Sequence, residues 1–197
     1  MKDIIKSSSK AIKIPIFPLA IFLLPEGKVR LRIFEAKYLK MISIASNGQG
    51  FVIKLPKDSQ KNSSATWGSL VKTEDFNQGE DGILEVDVKC LSLVKINDVS
   101  MNSDGLQFCN TKVFPHWSQQ QYSQHQVAEH LADMLAGIMS EDTMLKHLYS
   151  RQLTQDPAWI VARWLELLPV SLAIKSSFVG NQDFNQAKNF VESIIHK

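Results

Sequence analysis

Three prolines inside one apolar run constrain this chain more than any other feature. Between Ile14 and Leu24 the sequence reads Ile-Pro-Ile-Phe-Pro-Leu-Ala-Ile-Phe-Leu-Leu, and Pro25-Glu26-Gly27 follows directly. Each proline lacks a backbone N–H and turns the residue before it away from helical geometry, so Pro15, Pro18 and Pro25 forbid a continuous helix. The run is therefore extended, and Glu26-Gly27 reads as the turn that ends it. Val29, Leu31 and Ile33 then alternate with Arg30, Arg32 and Phe34, the period of a half-buried strand. Next the period changes, and Phe34, Tyr38, Met41/Ile42 and Ala45 recur at helical spacing until Asn47-Gly48 supplies a stop.

The order of these parts resembles the opening of the N-terminal substrate-binding domain of the Lon ATP-dependent protease. The residues that carry the resemblance are Phe17-Pro18-Leu19, Pro25 with Gly27, and Leu31-Arg32-Ile33-Phe34-Glu35 with Tyr38-Leu39. Further along, Trp67-Gly68-Ser69-Leu70 is similar to the short VGT-x-A element of that family, with Gly68 on its glycine. Leu165-Glu166-Leu167-Leu168-Pro169 followed by Lys175 resembles the LLP-x-x-x-x-K tail. The likeness runs from about residue 13 to 195. It departs from the family where Cys90 stands at a glycine, Leu93 at an arginine and Val94 at a phenylalanine.

At 197 residues the chain fits one domain or two small subdomains. Its 44% apolar and 21% charged content is that of a globular protein, so disorder is not the default. The net charge of +2 points to neither nucleic acid nor membrane. The charge is uneven, however: residues 1–40 hold nine Lys/Arg and three Asp/Glu, which gives +6 and leaves −4 for the remainder. A solvated strand face with a basic tail accounts for that run, and an acidic or nucleic-acid partner is the sharper alternative. Cys90 and Cys109 are the only cysteines, in no metal-ligand spacing, and read as buried thiols of a reducing compartment. The lysines ahead of the apolar run imitate a signal peptide, but prolines interrupt the run and no small-residue cleavage pattern follows. With no long uninterrupted apolar stretch either, the expected location is cytoplasmic.

Residues 1–12 are expected to be a loose tail, and Lys57 to Thr66 a polar surface loop. Strands are expected over Gly50–Leu55, Trp67–Lys72, Leu84–Ile96 and Leu106–Val113. In the third of these the alternation loses phase from Leu91, which predicts a bulge or a bend. Asn77–Gly82 reads as a turn-rich connector. From His116 the chain becomes helical: Val127, Leu131, Met134/Leu135 and Ile138 make one apolar stripe, after a glutamine-rich segment at Ser118–Gln126. Asp156-Pro157 is a cap with proline at the first helical position, Leu172–Val179 a short helix stopped by Gly180, and Asp183 the cap of a last helix.

No G-x-x-x-x-G-K-[ST] phosphate cradle and no G-x-S-x-G elbow is present, so neither ATPase nor autonomous protease chemistry is expected. His125 and His130 lie five residues apart, about 140° around a helix, a poor metal pair. No metal or cofactor is expected. Trp117 reads as packing at the subdomain junction and Trp164 as core, while Trp159 lies against the β part or at an exposed contact. An Arg32–Glu35 ion pair, or a cap by Glu35, would fix the strand-to-helix corner.

The expected fold is α+β. Residues 13–115 form a mostly antiparallel β subdomain with one helix, and residues 116–197 a helical subdomain. A PUA-like pseudo-barrel in the first part is implied by the resemblance. The expected function is a stand-alone, non-catalytic polypeptide-binding module that engages unfolded or damaged proteins, or a protease or chaperone, as an adaptor in protein quality control. Phe22, Leu23, Arg30, Arg32, Tyr38 and Trp159 are its candidate contacts. Phe17, Pro18, Leu19, Gly27, Phe34 and Glu35 are structural signature positions. All of Phe17, Leu19, Phe22 and Leu23 cannot face one side of a strand, so an exposed apolar patch is expected near Ile21–Leu24 unless helices cover it. An RNA-binding protein and a small-ligand barrel are the alternatives.

Overall fold

The computed structural model describes residues 13–56, 66–117, 127, 129–180 and 184–195. The tail at 1–12, most of the loop from Lys57, the glutamine-rich segment with His125, and the Asp183 cap lie outside the described residues. Six strands come first: β1 (Ile14–Pro18), β2 (Lys28–Ile33), β3 (Phe51–Lys54), β4 (Trp67–Gln78), β5 (Leu84–Met101) and β6 (Gln107–Val113), with helix α1 (Ala36–Ala45) between β2 and β3. Helices then follow: α2 (Glu129–Glu141), α3 (Thr143–Leu148), α4 (Pro157–Leu167), α5 (Leu172–Ser177) and α6 (Phe184–Ile195). A β-rich N-terminal subdomain is thus followed by a helical one. No described helix is long and apolar enough to cross a membrane.

The sheet runs β2-β5-β4-β3-β1-β6, and β6 also pairs with β5. All pairings are antiparallel except β1 with β3. The 18-residue β5 makes this possible. Its first half pairs with β2 and its second half with β6, while β4 runs along both. The expected bulge lies at Leu91: Leu70 pairs with Ser92 and Val71 with Cys90, which leaves Leu91 unopposed. Strand β4 is longer than its sequence suggested and absorbs Asn77 and Gln78, because β5 supplies partners as far as Leu84. Gly68 marks a close crossing, where a β-carbon would meet the Ile53 carbonyl at 2.6 Å.

Two apolar clusters result. Ile16, Val52, Val94, Ile96 and Cys109 pack together from β1, β3, β5 and β6. The larger cluster is shared by both subdomains and includes Phe22, Leu23, Leu24, Met41, Trp67, Tyr149, Trp159 and Leu165. The short helix α3 was not legible as periodicity; Asp142 starts it by accepting the Leu145 N–H at 2.8 Å. Asp156 caps α4 through the N–H groups of Ala158 and Trp159, with Pro157 at its first turn.

Candidate functional site

The residues between Ile21 and Gly27 are the seam between the subdomains. Leu24-Pro25-Glu26-Gly27 closes as a turn through the Gly27 N–H and the Leu24 carbonyl, 2.9 Å apart. Proline at the second position suits such a turn, but the left-handed residue is Glu26 (φ 69°), not Gly27. Glycine at 27 is needed for space. A β-carbon there would fall well inside contact distance of Glu166 Oε1, 2.8 Å from the Leu24 carbonyl oxygen and 2.9 Å from Arg163 Nη2.

Arg163 and Glu166 are three residues apart on α4 and face this turn. Arg163 Nε donates to Glu166 Oε2 and Nη2 to Oε1, both at 2.7 Å, a bidentate pair. The Leu24 N–H donates to Glu166 Oε1 at 2.7 Å, and Arg163 Nη2 reaches the Pro25 carbonyl at 3.2 Å. Lys175 Nζ donates to the Glu166 backbone carbonyl at 2.8 Å, near the end of α4. Tyr149 occupies the edge of β2, where its hydroxyl accepts the Lys28 N–H at 2.7 Å. Ser69 Oγ donates to the Leu23 carbonyl at 2.6 Å. Backbone that would otherwise be buried unpaired is thus satisfied across the seam.

Arg163 is 1% exposed. Burial works against its charge, but Glu166 and Tyr149 outweigh it and hold the guanidinium above its ordinary value. Burial pushes the Glu166 carboxyl up, against the pull of Arg163 and the Leu24 N–H. Every hydrogen bond at its two oxygens is donated to it, the pattern of a carboxylate. Lys175 is lowered by burial, which Glu166 opposes.

A cleft of about 160 Å³ opens beside this network. Ile21, Val29, Met139, Leu145 and Leu167 make its walls apolar, and Arg163, Glu166 and Tyr149 contribute its polar part. Its residues come from the seam, from β2 and from α2, α3 and α4, so it exists only when the two subdomains are docked.

The apolar patch expected near Ile21–Leu24 unless helices covered it is covered: Phe22 and Leu23 are 5% and 3% exposed in the cluster shared with the helical subdomain, and both line the cleft. Trp159 is 4% exposed and packs edge-on against Tyr149. Tyr38 is half-buried with its ring 4.5 Å from that of Phe17. Phe34, expected on the buried stripe of α1, is 71% exposed, since the helix starts only at Ala36. The Arg32–Glu35 pair does not form. Arg32 instead meets Asp81, Glu35 pairs with Lys37 at 3.0 Å, and no side chain caps α1.

Arg30 is bidentate on Asp87, at 2.6 and 2.8 Å, and its guanidinium holds that carboxyl below the usual range. Lys28 pairs with Glu74 at 2.7 Å and Lys40 with Asp104. Lys28, Arg30, Arg32 and Lys40 of the basic opening are therefore met by carboxylates of the more acidic remainder. Among the described residues one group, Asp75, Asp87 and His147, brings three ligand-type atoms within 4.8 Å of one another. Both Asp87 oxygens are already taken by Arg30, and His147 Nε2 lies 3.2 Å from Oδ2, so the group works as a link from α3 to the sheet.

Sequence reasoning missed Arg163 and Glu166 as partners of the turn. The available signal was a lone arginine inside the otherwise apolar Trp159–Leu165 stretch, with a carboxylate one helical turn later.

No protein-family model matches the chain, and no curated protein matches it. Solved structures do. The chain is similar to a Lon N-terminal domain protein from Xanthomonas campestris, with 23% identity, a TM-score of 0.62, and coverage of 94% of this chain and 98% of that one. It is also similar to the N-terminal domain of a Lon protease from the Mycobacterium avium complex, at 12% identity and a TM-score of 0.62, over 92% and 97% of the two chains. The chain thus has the fold of Lon N-terminal domains over more than nine-tenths of its length.

Proposed function

We propose that this protein is a non-catalytic polypeptide-binding module. Its β subdomain would be a PUA-like pseudo-barrel, since the pairings β1–β3–β4–β5–β6–β1 return on themselves. The observation that carries the functional reading is the apolar-walled cleft at the subdomain junction, in a fold shared with Lon N-terminal domains over nearly the full length of each. An extended, unfolded chain can lay an apolar side chain between Ile21, Val29 and Leu167. Damaged proteins, or a protease or chaperone that handles them, are the fitting partners. Arg30 and Arg32 serve the fold in this reading, because carboxylates of β5 and of the Asp81 turn already hold them.

The RNA alternative is weakened for the same reason, since Lys28, Arg30 and Arg32 of the basic strand each pair with a carboxylate within the protein. Fluorescence anisotropy with a labelled unfolded polypeptide and a labelled structured RNA, each at two salt concentrations, tests the choice. Saturable polypeptide binding that persists in salt and weakens in Leu167→Ser is the expected result. Binding to RNA alone, falling steeply with salt, would overturn the reading.

A further inference from the structure

Strand β2 ends the sheet: it pairs with β5 along one side, and among the described residues no strand lies along the other. Two contacts fix the direction of its backbone groups. The Gly27 carbonyl accepts the Cys90 N–H at 2.8 Å, which turns Gly27 toward β5, and the next N–H, that of Lys28, goes to the Tyr149 hydroxyl on the opposite side. Successive residues of an antiparallel pair alternate between the two sides. Val29, Leu31 and Ile33 therefore bond β5, while Arg30 and Arg32 direct N–H and C=O outward. Tyr149 closes the edge at Lys28, but no hydrogen bond among the described residues reaches the outward backbone of Arg30 or Arg32. Backbone groups without a protein partner are left to water, and a row of them at a sheet edge is a template for another strand. The open row begins beside the cleft, which Lys28, Val29 and Tyr149 help to line.

We propose that β2 receives an extended segment of an unfolded polypeptide as an added strand, paired to the outward groups of Arg30 and Arg32, with an apolar side chain in the cleft beside Val29. This deepens the polypeptide-binding reading and rests on it. Main-chain pairing asks for no particular sequence, which suits a module that engages unfolded proteins. A second copy of this chain is the poorer occupant. Only outward residues of two such edges can pair, so Lys28, Arg30 and Arg32 of each copy would face those of the other, and like charges directly opposite destabilise a strand pair. Side chains of the added strand alternate: apolar ones follow the face of Val29 and Leu31, and polar or acidic ones the face of Arg30 and Arg32.

The test uses the full chain and a labelled peptide in which leucine alternates with glutamate. Amide hydrogen exchange read by NMR should be slow at Val29, Leu31 and Ile33 in the free protein and fast at Arg30 and Arg32. Saturating peptide should slow Arg30 and Arg32 by at least about tenfold. Slow exchange of both in the free protein would mean that the edge is already covered, and would overturn the proposal. Binding without protection of either would also overturn it, while leaving polypeptide binding intact. No binding of this peptide would do the same, and no binding of a longer unfolded polypeptide either would overturn the polypeptide-binding reading with it. Arg32→Pro gives a second measurement, because it removes an outward N–H and no ladder bond, and proline is tolerated at such an edge position. It is expected to bind the peptide about tenfold more weakly than Arg32→Ala, which loses the same side chain but keeps the N–H. Equal affinities of the two variants would refute the pairing.

Discussion

Gly27→Ala would drive a methyl group into the contact that joins the two subdomains. The new β-carbon meets three atoms at once: Glu166 Oε1, the Leu24 carbonyl oxygen at 2.8 Å and Arg163 Nη2 at 2.9 Å. One of these is backbone and cannot rotate aside, and the other two belong to a bidentate pair with no slack. Overpacking alone costs about 1–3 kcal/mol. If the helix backs away to relieve the clash, part of the roughly 3–5 kcal/mol for disrupting a buried ion pair is added. A loss of about 3 kcal/mol is expected. At a urea slope of about 2 kcal/mol/M this lowers the midpoint by about 1.5 M. Equilibrium urea unfolding followed by tryptophan fluorescence is a suitable assay, since Trp159 lies 5.8 Å from the Arg163 guanidinium. Gly137→Ala is the internal control: it lies inside α2, has nothing within 4 Å of its would-be β-carbon, and should be neutral or stabilising by up to about 1 kcal/mol. If Gly27→Ala unfolds within about 0.5 kcal/mol of the unaltered protein, the steric account of this glycine is wrong. Combining it with Glu166→Ala supplies a second check, because removing the closest oxygen should make the two losses less than additive.

His116 offers a pH test: both ring nitrogens are sealed and unpartnered, and burial lowers its pKa from 6.5 to about 3. Between these values the unfolded chain holds the proton and the folded one does not, so stability should fall as the pH drops below 6.5, by at most about 1.4 kcal/mol per unit. His116→Phe should flatten this slope in urea midpoints measured from pH 4 to 7, and an unchanged slope would refute the assignment. Cys90 and Cys109 are both 0% exposed, and burial raises both thiols, Cys109 to about 11. Ellman's reagent should therefore find two thiols in denaturant and none in the native protein within the dead time; a fast native thiol would mean that β5 or β6 opens readily. Phe22→Ser should destabilise by about 3–5 kcal/mol, as for any buried phenylalanine, and a variant of unchanged stability would contradict its burial.

Much of the architecture was legible because its signals are local. Prolines 15, 18 and 25 kept the opening extended, the lost phase at Leu91 marked a real bulge, and Asp156-Pro157 started a helix where expected. The readings that needed correction concern which side chains are covered. Phe22, Leu23 and Trp159 were candidate contacts, yet all three are buried in the cluster that the two subdomains share. Phe34 looked like core and is exposed, since α1 begins two residues after it.

The sequence by itself determined where the opening is extended and that α4 begins at Asp156-Pro157, which follow from φ restriction and capping between neighbours. The resemblance to Lon N-terminal domains rested separately on the matched motif residues. Only the tertiary structure decided the purpose of Gly27, the partners of Arg30 and Arg163, and the existence of the cleft. The Leu24 N–H and the carboxylate that receives it are 142 residues apart. No periodicity records a pairing at that distance, because it is selected by the packing of two subdomains and by the cost of leaving a buried polar group unpaired.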